Sequence, residues 1–279
     1  MDRKRLYNQI AITMLWLSAL FTILILVILI GYIVVKGLPA FGPNPAAGIR
    51  FIFSSPRGVT EAGGIFPTII ATIYVTVLSI LIGTPFAVGA AIYLSEYTKE
   101  SRITRIIRFG ADALAGVPSI VLGLFGLSLF VYILGLGWSM LSAALTLTFM
   151  LLPILMGTTE EALKAVPQAW RQGSFGLGAT KWQTVRRVVL PPAMPRILTG
   201  IVLGVGRVFG ETAAVMFTAG LAINLPIFPT EPGRTMTNHL FLLATEGISM
   251  KTAYGTALLL MVIILLFNMG ARKIFSRVR

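Results

Sequence analysis

The chain has 279 residues, 56% of them hydrophobic, with a mean hydropathy of +0.87. That excludes an ordinary water-soluble domain, where roughly 45–50% apolar is typical, and predicts an all-α polytopic membrane protein surrounded by lipid. The net charge of +13 would suggest nucleic acid in a soluble protein; in a membrane protein it is the basic bias of cytoplasmic loops, so no nucleic-acid partner is expected.

Arg3, Lys4 and Arg5 precede an apolar run over 10–35, about 26 residues where roughly 20 suffice to span. The run exceeds the roughly 7–15-residue core of a signal peptide, so a retained first span is expected. Residues 36–64 hold six glycines and four prolines and read as an external loop. A second span runs to about residue 94, with a bend at Gly83 and Pro85, since proline removes a helical hydrogen bond. The basic stretch 95–108 is an internal loop. Residues 109–134 are predicted as a third span carrying Asp112, expected to make a structural hydrogen bond. A link at 135–137 leads to a fourth span over 138–158. The polar segment 159–195 returns inside, 196–222 is the fifth span, 223–250 a second external loop, and 251–271 the sixth span. His239 reads as an ordinary residue of that second loop, and Lys36, Arg50, Arg57 and Arg234 as external charges able to guide an anion. With no cysteine and one histidine, the chain offers neither disulfides nor a metal cluster.

With Arg196 and Lys251, which stand at the first positions of their spans, counted with the loops they adjoin, 17 of the 23 Lys and Arg residues are expected inside and five outside, and Arg207 lies within a span. This asymmetry predicts six helices with both termini in the cytoplasm. One transmembrane domain over 1–279 is expected, with 1–64 as an N-terminal helix and external loop. Residues 65–271 form its core, which carries the internal loop 159–195.

Within that loop, 172–191 is too polar for hydrocarbon. Gly178 is placed to end one helix in a left-handed conformation. Residues 181–189 predict a short second helix with Trp182, Val185, Val188 and Val189 on one face. Pro191, Pro192 and Pro195 are expected to stop it before the fifth span. Such a helix at the membrane surface is shaped to fit a groove on a soluble partner. In the fifth span, Gly200/Gly204 and Gly206/Gly210 are small-xxx-small pairs suited to close packing. Arg207 and Glu211 stand four apart, expected on one helical face near mid-bilayer. There they read either as a structural ion pair or as the lining of an anion path. A guanidinium can grip two oxygens of an oxyanion. A carboxylate only accepts hydrogen bonds, so it favours an oxyanion that still bears a proton, as hydrogen phosphate does.

The pattern Gly178-x9-Val188-x-Leu190-Pro191 resembles the cytoplasmic loop of ABC importer permeases. The Glu-Ala-Ala triplet of that family is replaced here by Gln172-Gly173-Ser174, and Glu160-Glu161-Ala162 lies too far upstream. The stretch 206–213 is similar to the GRxxGETA segment of phosphate-importer permeases, and 116–123 to their third-helix signature. Gly63-Gly64-Ile65 and 243–247 also fit. The similarity covers about residues 60–250 and is greatest to the PstA type. It implies the type I importer permease fold and a place in the cytoplasmic membrane of a prokaryote, moving inorganic phosphate inward. The implied partners are a second, PstC-type permease, two PstB-type ATPases carrying ATP and Mg, and an extracytoplasmic PstS-type phosphate-binding protein. By the same resemblance Arg207 and Glu211 belong to the substrate path. Gln172, Gly173, Ser174, Gly178, Val188, Leu190 and Pro191 belong to the ATPase coupling site. This chain carries no catalytic residue, cofactor or metal in that reading.

Two other readings remain at this level. A lone secondary transporter or channel would work through Arg207, Glu211 and Asp112, but it leaves 172–191 without a purpose, and no repeat relates the two halves. A permease for another oxyanion fits the same residues. A membrane enzyme lacks any nucleophile–base constellation, and the phosphate loop of an ATPase is missing from the sequence.

Overall fold

The computed structural model describes residues 3–56 and 63–275, and every regular element among them is helical; Arg57 lies outside the described residues. The chain opens with α1 (Arg3–Gly37), 35 residues without a break. The segment expected to be an irregular loop instead holds a short 3-10 turn, Leu38–Phe41, and α2 (Pro45–Phe53). Pro45 begins that helix, where its missing N–H has no partner to lose. Next comes α3 (Phe66–Ile92), which runs through Pro85 and closes in a wide π-type turn, Tyr93–Tyr97.

The expected straight third span is broken. α4 (Arg102–Ala115) and α5 (Ser119–Gly126, extended by a wide turn to Ile133) meet at 102° across Gly116-Val117-Pro118. Pro118 forces its predecessor away from helical angles, which ends α4 and redirects the chain. Asp112 is exposed on α4 and its side chain makes no hydrogen bond, contrary to the expected structural role. α6 (Met140–Lys164) is longer than expected and takes Glu160 and Lys164 into its last turns. The polar segment then folds as α7 (Gln168–Gly176) and α8 (Lys181–Thr184).

The prolines after α8 do not stop the helix. A π-type turn, Val185–Val189, leads directly into α9 (Leu190–Phe209), so one helical span runs from Lys181 to Phe209. The Leu190 amide closes the wide turn on the Val185 carbonyl. Pro191 and Pro192 thus fall in the first turn of α9, where a proline ring is tolerated. The break comes later, at residues 210–212, before α10 (Ala213–Thr218). The second expected loop contains α11 (Met236–Thr245), and α12 (Met250–Phe275) ends the described chain. Among the described residues five helices are long and apolar enough to cross a membrane, six if the bent α4–α5 pair is one span.

The bundle core is α3 against α6 and α9. The buried stripe of α3 is small or hydroxylated: Thr68, Ala71, Thr72, Val75, Thr76, Ser79, Gly83 and Ala87. The hydroxyls of Thr72, Thr76 and Ser79 donate to carbonyls one turn back at 2.6–2.7 Å. Buried oxygens are satisfied and the backbones can approach closely. Thr148 of α6 crosses to the Ser79 carbonyl at 3.2 Å. Gly200 and Gly204 do pack: a Cβ on Gly204 would stand 3.1 Å from Leu151, and one on Gly200 would strike Thr158. Gly206 and Gly210 meet no other helix. α1 stays outside this core, its apolar side chains exposed all round as a lipid-facing helix requires. It docks only at its end, where Tyr32 meets Tyr254 of α12 edge to face at 5.7 Å.

Candidate functional site

The residues of interest gather at two ends of the bundle. One surrounds the break at 210–212. Arg207 lies in the last turn of α9, exposed on the same open face as Gly206 and Gly210, and makes no ion pair or hydrogen bond. Glu211 sits within the break and is buried. The shared helical face expected for the two residues therefore does not exist, because the helix ends between them, and they form no structural ion pair. Oε1 of Glu211 instead accepts from the Ala214 amide at 3.3 Å, at the N-terminus of α10, where a negative charge is favoured.

The unwound backbone is held from 26 residues away. Thr237 Oγ1 of α11 donates to the Glu211 carbonyl at 2.8 Å. With its amide turned to suit both neighbours, Asn238 donates to the Thr212 carbonyl at 3.0 Å and accepts from the Met216 amide at 3.2 Å. α11 is in turn seated on α3, the Met236 amide donating to Thr72 Oγ1 at 2.9 Å. Non-helical backbone at membrane depth is tolerated where protein groups satisfy it in this way.

Two residues expected in an exposed loop are buried here. Arg234 donates through Nε and Nη2 to the Leu221 carbonyl at 3.1 and 2.7 Å, so it is a brace rather than an external guide. His239, in the first turns of α11, is 3% exposed, and neither ring nitrogen has a partner. Burial, and next the charge of Arg234, push its pKa down to about 4. In the unfolded chain an imidazole titrates near 6.5. Between these values the unfolded state binds a proton that the folded state refuses. Stability is thus fully present above pH 6.5 and is lost as pH falls toward 4, by on the order of 3 kcal/mol. The expected result is that His239→Leu loses less stability than the parent between pH 7 and 4.5 in thermal unfolding; parallel losses would refute it.

The second group lies at the opposite, basic end. Gly178 adopts φ +81°, the left-handed conformation expected of it, in the turn between α7 and α8. Thr180 and Gln183 then form a reciprocal capping box that starts α8, and Ser174 and Thr184 are hydrogen bonded at 2.9 Å across the pair. Val185 and Val189 are fully buried and Val188 partly, with Leu190 packed beside them. Trp182, expected on the same face, is instead 57% exposed, the short α8 turning Thr184 rather than Trp182 inward beside Val185. Gln172, Gly173, Gly178 and Pro191 are exposed. So are Trp170, Phe175 and, at 90%, Leu177. Sequence reasoning missed two ion-pair groups here. Arg171 pairs with Glu96 at 2.7 Å, and Glu160 takes both Arg108 and Lys164 at 3.2 and 3.1 Å. Their signal was an acidic residue just past each apolar run, at Glu96 and Glu160.

The fifth span thus carries a helix break beside an exposed arginine at one end and a folded polar helix pair at the other. The model of the family described as binding-protein-dependent transport system inner membrane component matches residues 83–279. The chain is 33% identical to the probable ABC transporter permease protein YqgI of Bacillus subtilis, covering 98% of this chain and 96% of that protein. It is 34% identical to the phosphate transport system permease protein PstA of Xylella fastidiosa, over 99% and 94% of the two chains. Among solved structures, a bacterial alginate ABC transporter in complex with its alginate-bound periplasmic protein matches with a TM-score of 0.72 at 15% identity, over 98% of each chain. The MetNI methionine ABC transporter matches with a TM-score of 0.60 at 21% identity, over 77% of this chain and 94% of that one. The chain belongs to the family of binding-protein-dependent transport system inner membrane components. It is a multi-pass permease subunit of an ABC importer in the cytoplasmic membrane, and ATP hydrolysis belongs to a separate chain.

Proposed function

We propose that this permease is the PstA-type subunit of an importer for inorganic phosphate. The observation that carries the reading is Arg207, an uncompensated guanidinium on an open face at a helix break, with the Glu211 carboxylate one step beyond. The phosphate transport permeases among the relatives support the same substrate. In this reading a second, PstC-type permease covers the open face of Gly206, Arg207 and Gly210 and completes the path. Arg207 attracts the oxyanion, and Glu211, whose Oε2 makes no hydrogen bond among the described residues, accepts a hydrogen bond from the P–O–H group that hydrogen phosphate still carries. The whole chain forms one transmembrane permease domain with both termini in the cytoplasm, and the basic end faces the cytoplasm.

Of two PstB-type ATPases, which hold ATP and Mg, one docks on α7 and α8 of this chain and the other on the second permease. Gln172, Gly173, Ser174 and Gly178 shape that surface, while Val188, Leu190 and Pro191 carry it into the span. A PstS-type binding protein delivers phosphate at the other face. Because α8 and α9 are one continuous helix, a push on the docked pair is delivered along α9 to the break beside Arg207. Rigid movement of one bundle against another is a known route to alternating access.

Glu211→Gln tests the substrate assignment in vesicles holding the full complex. The account expects the preference for phosphate over sulfate to fall while uptake of either remains dependent on ATP. An unchanged preference removes Glu211 from the path. A wild-type complex that favours sulfate or another fully deprotonated oxyanion transfers the permease to that substrate.

A further inference from the structure

The fifth span receives movement of α7 and α8 through the covalent chain. The second span has no such link, yet its end is fastened to the same helix pair. Two neighbouring residues of the wide turn after α3 provide the fastening. Glu96 receives Nη2 of Arg171 on Oε1 at 2.7 Å and Nε on Oε2 at 3.2 Å. Both side chains are 9% exposed. The same guanidinium donates to the carbonyls of Val166 at 2.7 Å and Leu163 at 2.9 Å, at the end of α6. Beside it, the Lys181 ammonium of α8 lies 5.2 Å from the ring centre of Tyr97.

Four donor contacts in a planar fork fix orientation as well as distance. A buried ion pair adds little net stability compared with apolar packing of similar volume, so stability alone explains it poorly. What it supplies is a stiff connection. The far side of α3 leads to the break, because Thr72 holds α11 through the Met236 amide and Thr237 of α11 holds the Glu211 carbonyl.

We propose that the Glu96–Arg171 pair is a transmission joint that makes the second span move with the ATPase-docking helices, giving the drive a second route to the break at 210–212. Glu96 and Arg171 are positioning residues; neither touches substrate. The joint rests on the ATP-driven permease reading above, and the same vesicles separate the two: wild-type uptake that needs no ATPase chain would overturn that reading itself.

The test is Glu96→Gln in the complete reconstituted complex, which leaves the carbonyl contacts of Arg171 in place. ATP hydrolysis is expected to continue while inorganic phosphate taken up per ATP falls roughly 5- to 150-fold, the span of typical coupling between linked sites. A second variant exploits the absence of cysteine from the chain. Glu96→Cys with Arg171→Cys, bridged by a bifunctional thiol reagent long enough to replace both side chains, is expected to regain uptake per ATP that the unbridged complex has lost. Uptake per ATP at the wild-type level in Glu96→Gln overturns the joint. So does a parallel fall of hydrolysis and uptake, which marks a purely structural pair. An assembled double-cysteine complex that recovers nothing on bridging also overturns it, and if that complex does not assemble, Glu96→Gln alone decides.

Discussion

Arg207→Ala abolishes ATP-dependent phosphate uptake while leaving the permease folded and assembled. Both halves of this expectation come from the same geometry. The side chain is exposed and has no partner among the described residues, so truncating it removes no packing and strands no buried charge. Stability should move by no more than roughly 0.5 kcal/mol, as at an ordinary surface site. Function is affected through the anion alone. Removing one member of a desolvated, hydrogen-bonded charge pair costs about 2–5 kcal/mol, which is about 30-fold or more in the affinity of the path for phosphate. Arg207→Lys keeps the charge but not the two-pronged grip, and should fall between the parent and the alanine variant. Uptake by Arg207→Ala at the parental rate would remove the residue from the path. A marked loss of stability would show that it is held by contacts absent from the isolated chain.

Leu177→Asp should separate hydrolysis from the membrane in a different way, by loosening the ATPase itself. Leu177 is 90% exposed at the turn between α7 and α8, with Trp170, Phe175 and Trp182 exposed nearby. Four large apolar side chains gathered on this polar segment, Trp182 at the very start of the fifth span and the others before it, mark a surface that a protein partner covers. Burying a leucine side chain stabilises by about 1.5–3 kcal/mol, so a charge at Leu177 should weaken ATPase binding by roughly 10-fold or more. Permease stability should not change, since the residue packs against nothing. Unaltered binding measured by co-purification or titration with the ATPase chain would place the docking surface elsewhere.

Elements governed by local chemistry were legible in the sequence. The first, second, fourth and sixth spans follow from apolar run length. Gly178 ends α7 at φ +81° because its place between two helices requires that conformation. Gly200 and Gly204 pack against α6 as a small-xxx-small pair should. The features that escaped all depend on partners distant in the chain. The break at 210–212 sits inside an apolar run and is stabilised by Thr237 and Asn238, whose side chains substitute for the missing ladder bonds. The continuous helix across Pro191 and Pro192 depends on one wide turn, a register change that composition does not reveal. Arg234 and His239 looked like loop residues because glycine and proline surround them, yet α11 carries His239 into the protein and Arg234, just before that helix, is held there by the Leu221 carbonyl. At the candidate site, Arg207 and Glu211 stand out in the sequence as charges within an apolar run, whereas their separation across a helix end does not.

The most direct test of the account is phosphate uptake into vesicles holding this chain with its second permease, the ATPase and the binding protein, measured with and without ATP. The account predicts uptake that requires ATP and every partner, and that is lost in Arg207→Ala with assembly intact. Uptake by this chain alone, without ATP or the ATPase, would contradict it.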